Sequence, residues 1–314
     1  FMGECPRTGG CPLLNTGFLI RLGIYRSFLP VHYKGEIMHL KRLGATALAA
    51  AVALLAMASF AAVAPAKEPA PGYSQFAGCP SPEENSNILG CIRTVIDGGN
   101  FKMGNKNTPL SKPMNLVGGI TTLPDGTEII VANSKGGISH VKQLVPGGVI
   151  GLTGLDWLVN FLSIEALQLF AEVELMGPPK AIPGGNLQLP IRVHLINSAL
   201  GNKCYVGSPT SPIVLNLTTE TTSPPLPNKP ITGSPGEPSF NEATQIFSIN
   251  NGRYVDNAFA APGANGCQLT LFGFIPISLN GLVNLQAGLP SPAGMNETIQ
   301  NFDMELTQQS VVYP

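Results

Sequence analysis

Glycine and proline interrupt most of this chain at short intervals, which leaves little room for long helices. The 36 Gly and 29 Pro make up about a fifth of its 314 residues, and inside a helix they cost about 1 and 3 kcal/mol each. Coiled coils and helical arrays are excluded, and a turn-rich β architecture remains. Charged residues are 12% of the chain, against about 25% in an average soluble protein. With 18 basic and 19 acidic side chains and no basic cluster, the chain lacks the face of Lys and Arg that nucleic acid needs.

Between the breakers, two-residue alternation marks strands. Asn186 to Asn197 sets Leu187, Leu189, Ile191, Val193 and Leu195 on one face and Gln188, Pro190, Arg192 and His194 on the other, the pattern of a half-buried strand. Pro190 cannot donate to a ladder, which predicts an edge position or a bulge there. Ile213/Leu215/Leu217, Phe302/Met304/Leu306 and Leu167 to Leu175 alternate likewise, the last with Glu172 and Glu174 outward. Asp125-Gly126 and Asn251-Gly252 supply the positive φ values of tight turns and predict two hairpins, around residues 114–133 and 244–259. The one helix signal is short, Leu155 to Ser163, with Trp157, and is apolar on most sides. Thr221 to Pro238 holds six prolines in 18 residues and reads as a linker.

Near the start, Met38, His39, Lys41 and Arg42 precede an uncharged run from Leu43 to Ala66 that ends small-x-small at Ala64, Pro65 and Ala66. A basic region, an apolar core and small residues at the cut make a secretory signal. Residues 38–66 are read as that signal, with cleavage after Ala66 because an earlier cut would leave Pro65 first. The run is also long enough to be kept as a membrane anchor. Residues 1–37 are expected to be upstream translation outside the native product. The expected mature chain, Lys67 to Pro314, carries 12 basic and 17 acidic side chains, a net charge of −5. It divides into a Pro-rich tether, 67–81, and one secreted β domain, 82–314.

Four cysteines stay in that chain, Cys79, Cys91, Cys204 and Cys267, an even number suited to disulfides in an oxidising exterior. Three connectivities are possible. Proximity favours Cys79 with Cys91, leaving Cys204 with Cys267, and loop closure makes the two bonds worth about 3 and about 4 kcal/mol. A Cys204–Cys267 bond also makes 221–238 an excursion within one body. Zinc is disfavoured, since no C-x-x-C pair exists and the mature chain has two histidines, His140 and His194. The expected fold is therefore mainly β: an antiparallel sandwich or barrel-like domain with one short helix, stapled by two disulfides.

Catalytic signatures are broken. Gly99 to Gly104 has P-loop spacing, but Asn105 stands where lysine must reach phosphate. No G-x-S-x-G elbow occurs. The nearest enzyme signal is Ser139-His140-Val141-Lys142, an S-x-x-K pattern in which Lys142 could activate Ser139 on a helix; the segment looks extended, which would part the pair. Glu172 with Glu174, and Asp303 with Glu305, share strand faces at a spacing glycosidases could use, and an ordinary wet sheet face explains them as well. Asn216 and Asn296 stand in glycan sequons. No cofactor is implied.

Several strings taken together carry a family resemblance: Glu174-Leu-Met-Gly-Pro178, Leu189-Pro-Ile-Arg-Val-His-Leu195, Cys204-Tyr-Val-Gly-Ser208, Val255-Asp-Asn-Ala-Phe259 and Pro262-Gly-Ala-Asn-Gly-Cys267. As a set they resemble uncharacterised secreted proteins of actinobacteria and related high-GC Gram-positive bacteria, over residues 114–310. The resemblance implies an exported bacterial protein with Cys204 and Cys267 in its most distinctive motifs, and transfers no catalytic residue. The expected function is a non-catalytic β protein, secreted or in the cell envelope, that acts by binding or self-association. It would meet membrane only if the signal is kept. The alternative is a secreted hydrolase using Ser139, His140, Asp125 or the acidic pairs.

Overall fold

The computed structural model describes residues 67–148 and 168–314. The leader, the cut after Ala66 and the helix expected at 155–163 lie outside them. The described body is mainly β, and its named strand pairs are antiparallel. Strands β1 (Gly90–Met103), β2 (Lys106–Pro109), β3 (Met114–Thr122), β4 (Glu128–Val131), β5 (Gly137–Ile138) and β6 (Gln143–Val145) come first. The expected hairpin at Asp125-Gly126 joins β3 to β4, with Gly126 at φ +84° and Asp125 Oδ1 accepting from Thr127 N at 2.9 Å. Next are β7 (Leu169–Leu175), β8 (Lys180–Ile182), β9 (Asn186–Ile196), β10 (Tyr205–Val206) and β11 (Ile213–Leu217). The remainder are β12 (Glu237–Asn241), β13 (Ile246–Asp256), β14 (Ala264–Asn265), β15 (Gln268–Leu271), β16 (Ile275–Ser278) and β17 (Glu297–Thr307), with helices α1 (Asn280–Ala287) and α2 (Gln309–Val312).

Pairing passes from β13 through β17, β1, β3, β4, β8 and β9 to β11. Just past β11, Thr218 N donates to Val255 O at 3.0 Å and Val255 N to Thr218 O at 2.9 Å, returning the path to β13. The sheet therefore closes on itself as a barrel, which removes exposed ladder edges along the ring. Beside the ring, β7 and β6 extend from one side of β9, and β10 and β14 from the other. Strand β9 is the hub: its odd-numbered residues Leu187 to Leu195 are all buried and point inward. The isolated β15–β16 hairpin stands apart as its own two-stranded sheet.

Three local expectations come out differently. Asn251-Gly252 makes no hairpin: β13 runs straight through it. Asn251 sits at φ +55° and its N–H goes to Asp303 Oδ1, at a register shift against β17. Gly252 lies under the Phe302 ring, where a Cβ would come within 2.3 Å. The same backbone freedom that suits a tight turn here makes a β-bulge. Pro190 lies in a central strand, paired with Val214 of β11. Its carbonyl accepts from Met176 N on the opposite side, so its missing N–H faces the break between β7 and β8, where no ladder bond is lost.

Residues 67–81, read as a tether, are packed against the body. Ala70 N donates to Val312 O, and Phe76 is fully buried with Cys79, Cys91, Ile88, Ile246, Val312 and Tyr313. Tyr313 Oη donates to Cys79 O, and Gln309 Nε2 to Pro80 O and Asn85 O. Prolines there shape an ordered segment because α2 and a disulfide offer it an apolar surface.

Both disulfides are formed, Cys79–Cys91 and Cys204–Cys267, and they suggest an oxidising, extracytoplasmic environment. The first closes the small cluster around Phe76; the second lies in the main core and ties the loop after β9 to the root of the β15–β16 hairpin. Between β12 and the end of β11, the proline-rich excursion returns to the barrel through Ser234 and Arg253, whose N–H and C=O groups exchange two bonds of 2.9 Å.

Candidate functional site

Alternation of β7, β9 and β11 sends one row of each strand into the barrel, and these rows do not meet. They leave a cavity of about 90 Å³. Its walls are Leu169, Ala171 and Val173 of β7, Leu189, Ile191, Val193 and Leu195 of β9, Leu215 of β11 and Val206 of β10. Ile96, Phe101 and Met103 of β1, Met114 of β3 and Ile138 of β5 face them. Of the 24 residues that line it, four are polar: Lys106, Thr108, Gln143 and Gln300.

Two of the polar side chains on the wall are held by the protein. Gln143 is spent on the backbone of residues 111 and 112: its Oε1 accepts from Ser111 N and Lys112 N at 3.1 Å, and its Nε2 donates to Lys112 O at 2.6 Å. Thr298 Oγ1 gives its hydrogen to Asn100 O and so accepts from Gln300 Nε2 at 3.2 Å. That leaves Gln300 Oε1 as a buried acceptor with no partner among the described residues.

One part of the cavity is walled by α1. Residues 279, 283 and 287 fall on one helix face; Val283 and Ala287, with Leu289 after the helix, line the cavity. The neighbouring face is held by side-chain amides. Asn280 Oδ1 accepts from Cys267 N at 2.8 Å and Asn284 Oδ1 from Ala264 N at 2.6 Å. The helix ends on Gly288 at φ +67°, and Asn105 N, in the β1–β2 turn, donates to Ala287 O at 2.8 Å. Gly104 has φ +56° and a Cβ there would lie 2.2 Å from Ala287 O, so glycine is what lets turn and helix meet. Asn296, fully buried, locks the adjoining loops: Oδ1 accepts from Gly104 N, and Nδ2 donates to Phe259 O, Ser291 O and Pro292 O. A sequon asparagine so enclosed cannot carry a glycan in the folded chain.

The opposite face of β9 gathers the residues that suggested catalysis. Glu172 and Glu174 of β7 stand opposite His194 and Arg192. Arg192 Nε donates to Glu174 Oε2 at 2.7 Å, its guanidinium lies 4.0 Å over the Tyr205 ring, and His194 stacks on the same ring at 4.4 Å. His194 Nδ1 is 3.8 Å from Glu174 Oε1, and its buried Nε2 has no partner among the described residues. His140 Nδ1 lies 2.8 Å from Glu172 Oε1 on open surface.

Ser139 turns away from that pair, its Oγ accepting from Asn115 N at 2.8 Å. Residues 139–142 are not helical and Lys142 is exposed, so the S-x-x-K geometry is absent. Among the described residues neither histidine hydrogen-bonds to a serine, threonine or tyrosine hydroxyl, and neither lines the cavity. Asp303 and Glu305 are engaged with Asn251 N and Arg93, and Gly99 to Gly104 belongs to the end of β1 and its turn, with no helix after it. Among the described residues no group of three or more His, Cys, Asp or Glu is placed to hold a metal ion.

Fold and cavity together define a class, a closed antiparallel barrel with an apolar interior. Compared with protein-family models, curated proteins and solved structures, the chain finds no match.

Proposed function

We propose that this protein is a non-catalytic, exported binding protein whose barrel interior takes a slender apolar ligand, of the kind an extended hydrocarbon chain presents. The cavity carries this reading: a small void with 20 apolar residues among its 24 neighbours. Empty apolar cavities of about 150 Å³ bind benzene or xenon because the lining regains lost dispersion contacts. A void smaller than these leaves no room for a fused ring system, whereas part of an unbranched chain can enter it. A bound molecule with a hydrogen-bond donor would also answer the unpartnered Gln300 Oε1. Export rests on the leader read at 38–66 and on the two disulfides; the resemblance to secreted actinobacterial proteins points the same way.

The test is titration with a fluorescent straight-chain polyene fatty acid, with unlabelled alcohols of increasing length as competitors. Binding should saturate at one site and improve with chain length up to a limit set by the cavity. Val193→Phe, which fills the void from the middle of β9, should abolish binding while the circular dichroism of the wild type persists. Undiminished binding in a folded Val193→Phe variant, or no binding at any chain length, would overturn the proposal.

A further inference from the structure

No charged side chain stands between Asp256 and Glu297, and in the middle of this stretch the protein exposes its two most accessible phenylalanines among the described residues. The β15–β16 hairpin turns at Phe272-Gly273-Phe274. Phe272 is 84% exposed and Phe274 74%, with ring centroids 6.5 Å apart. All four residues of β16 are exposed, Ile275 and Ile277 among them. On α1, which follows directly, Leu285 is 75% exposed and Leu282 nearly half.

This arrangement is not an accident of a loose loop. The hairpin's root is tied by the Cys204–Cys267 disulfide, by Leu279 N donating to Cys267 O and by Asn280 Oδ1 accepting from Cys267 N. A firmly mounted tip that leaves large apolar groups in water needs a partner. Its shape and charge say which. A groove or a protein surface covers one face of a ribbon, whereas β16 is bare on both, as suits a fluid that closes around it. A lipid interface accepts apolar side chains and rejects charge, and the hairpin–helix segment carries none.

We propose that the β15–β16 tip, with Leu282 and Leu285 of α1 beside it, docks shallowly into the surface of a lipid bilayer of low charge. Insertion is limited to the headgroup boundary, because the outer edges of a two-stranded ribbon keep unpaired backbone groups that hydrocarbon would not satisfy. The same helix that exposes Leu282 and Leu285 lines the barrel cavity with Val283 and Ala287, so a docked tip would bring the cavity wall to the lipid. The docking stands whether or not the cavity is filled.

The experiment uses the full chain and vesicles of phosphatidylcholine. In Phe272→Trp, the added indole should shift to the blue on vesicle addition and be quenched by lipids brominated near the headgroup, at high as well as low salt. Phe272→Ser with Phe274→Ser should lower partitioning of the tip about a hundredfold or more, given about tenfold for each phenylalanine withdrawn from lipid. Leu226→Ser, at an exposed leucine on a different loop, should change nothing. Because residues 43–66 form an apolar run of their own, vesicle binding with an unquenched tip tryptophan overturns the proposal. So does self-association without vesicles that the double serine variant abolishes, which would make the tip an interface between copies of the chain.

Discussion

The two faces of β9 are built from the same eleven residues and do opposite work. Inward, Leu189, Ile191, Val193 and Leu195 line a void that the protein does not fill. Outward, Arg192 stands opposite Glu174 and pairs with it, and His194 stands between Glu172 of β7 and Tyr205 of β10. The outward face looks chemical and is mostly satisfied; the inward face looks like ordinary core and is left open. Unfilled contact area inside a barrel costs stability, so it points to a ligand more strongly than a set of polar groups that have already found partners.

The largest effect in testing this contrast should come from the staple beside the cavity. Replacing Cys204 and Cys267 together by serine releases a loop spanning 63 residues and should cost about 4 kcal/mol by chain entropy, read by denaturant titration under non-reducing conditions. Since the bond roots the hairpin and α1, probe binding should weaken along with stability. Unchanged stability would show that the hairpin and α1 hold their places without the disulfide.

On the inward face, Leu189→Ala should destabilise by about 3 kcal/mol, in the range for buried leucines that leave a cavity. A chain-like ligand should restore more of that loss than it adds to the wild type, because the enlarged void regains contacts when filled. If the alanine variant loses stability and gains nothing from the fatty acid probe, the inward face is plain core.

A third effect, smaller than these, belongs to the seam that closes the barrel. Asp256 is 2% exposed and accepts from Asn216 N at 2.7 Å and Ala258 N at 2.9 Å. Burial raises its pKa, with the two N–H bonds acting against the rise. A carboxyl group whose folded pKa lies above its unfolded value binds its proton more tightly when folded. Its contribution is greatest below the unfolded pKa, about 3.9, and is lost as pH climbs through the folded one. Thermal stability should therefore fall over that acidic window, and Asp256→Asn should flatten this component of the curve. At neutral pH the variant should be the less stable, because one amide oxygen cannot serve both N–H groups as well as a carboxylate does.

Much of this fold is readable from residue order, and the reasons are local. Period-two alternation found β9, β11, β17 and β7, and the Asp125-Gly126 turn found β3 with β4. Cysteine spacing found both disulfides. Barrel closure is not local: it depends on Thr218 meeting Val255, 37 residues on, and nothing in either segment announces the other. Asn251-Gly252 misled because positive φ serves a bulge as well as a turn, and register against β17 decides which. The cavity was invisible for a related reason. Alternation says that Val193 faces inward, but whether its neighbours across the barrel reach it depends on the barrel's width. One signal could have found the tip: the absence of charge from Asn257 to Asn296 combined with Phe-Gly-Phe at a turn.

The outward face should give the smallest response. Glu174→Ala removes the partner of Arg192, yet the guanidinium keeps its place over Tyr205 and both side chains of the ion pair are already partly exposed, 26% for Arg192 and 17% for Glu174. Paired charges with access to water are worth about 1 kcal/mol or less, so a loss of that size, shrinking in high salt, is expected in thermal denaturation. Uptake of the fatty acid probe should match the wild type, since Glu174 does not line the cavity. The informative outcome is a mismatch between the two readouts. If Glu174→Ala, or His194→Ala beside it, abolishes uptake while stability barely moves, the polar ladder is touching the ligand. The assignment of roles to the two faces of β9 would then have to be exchanged.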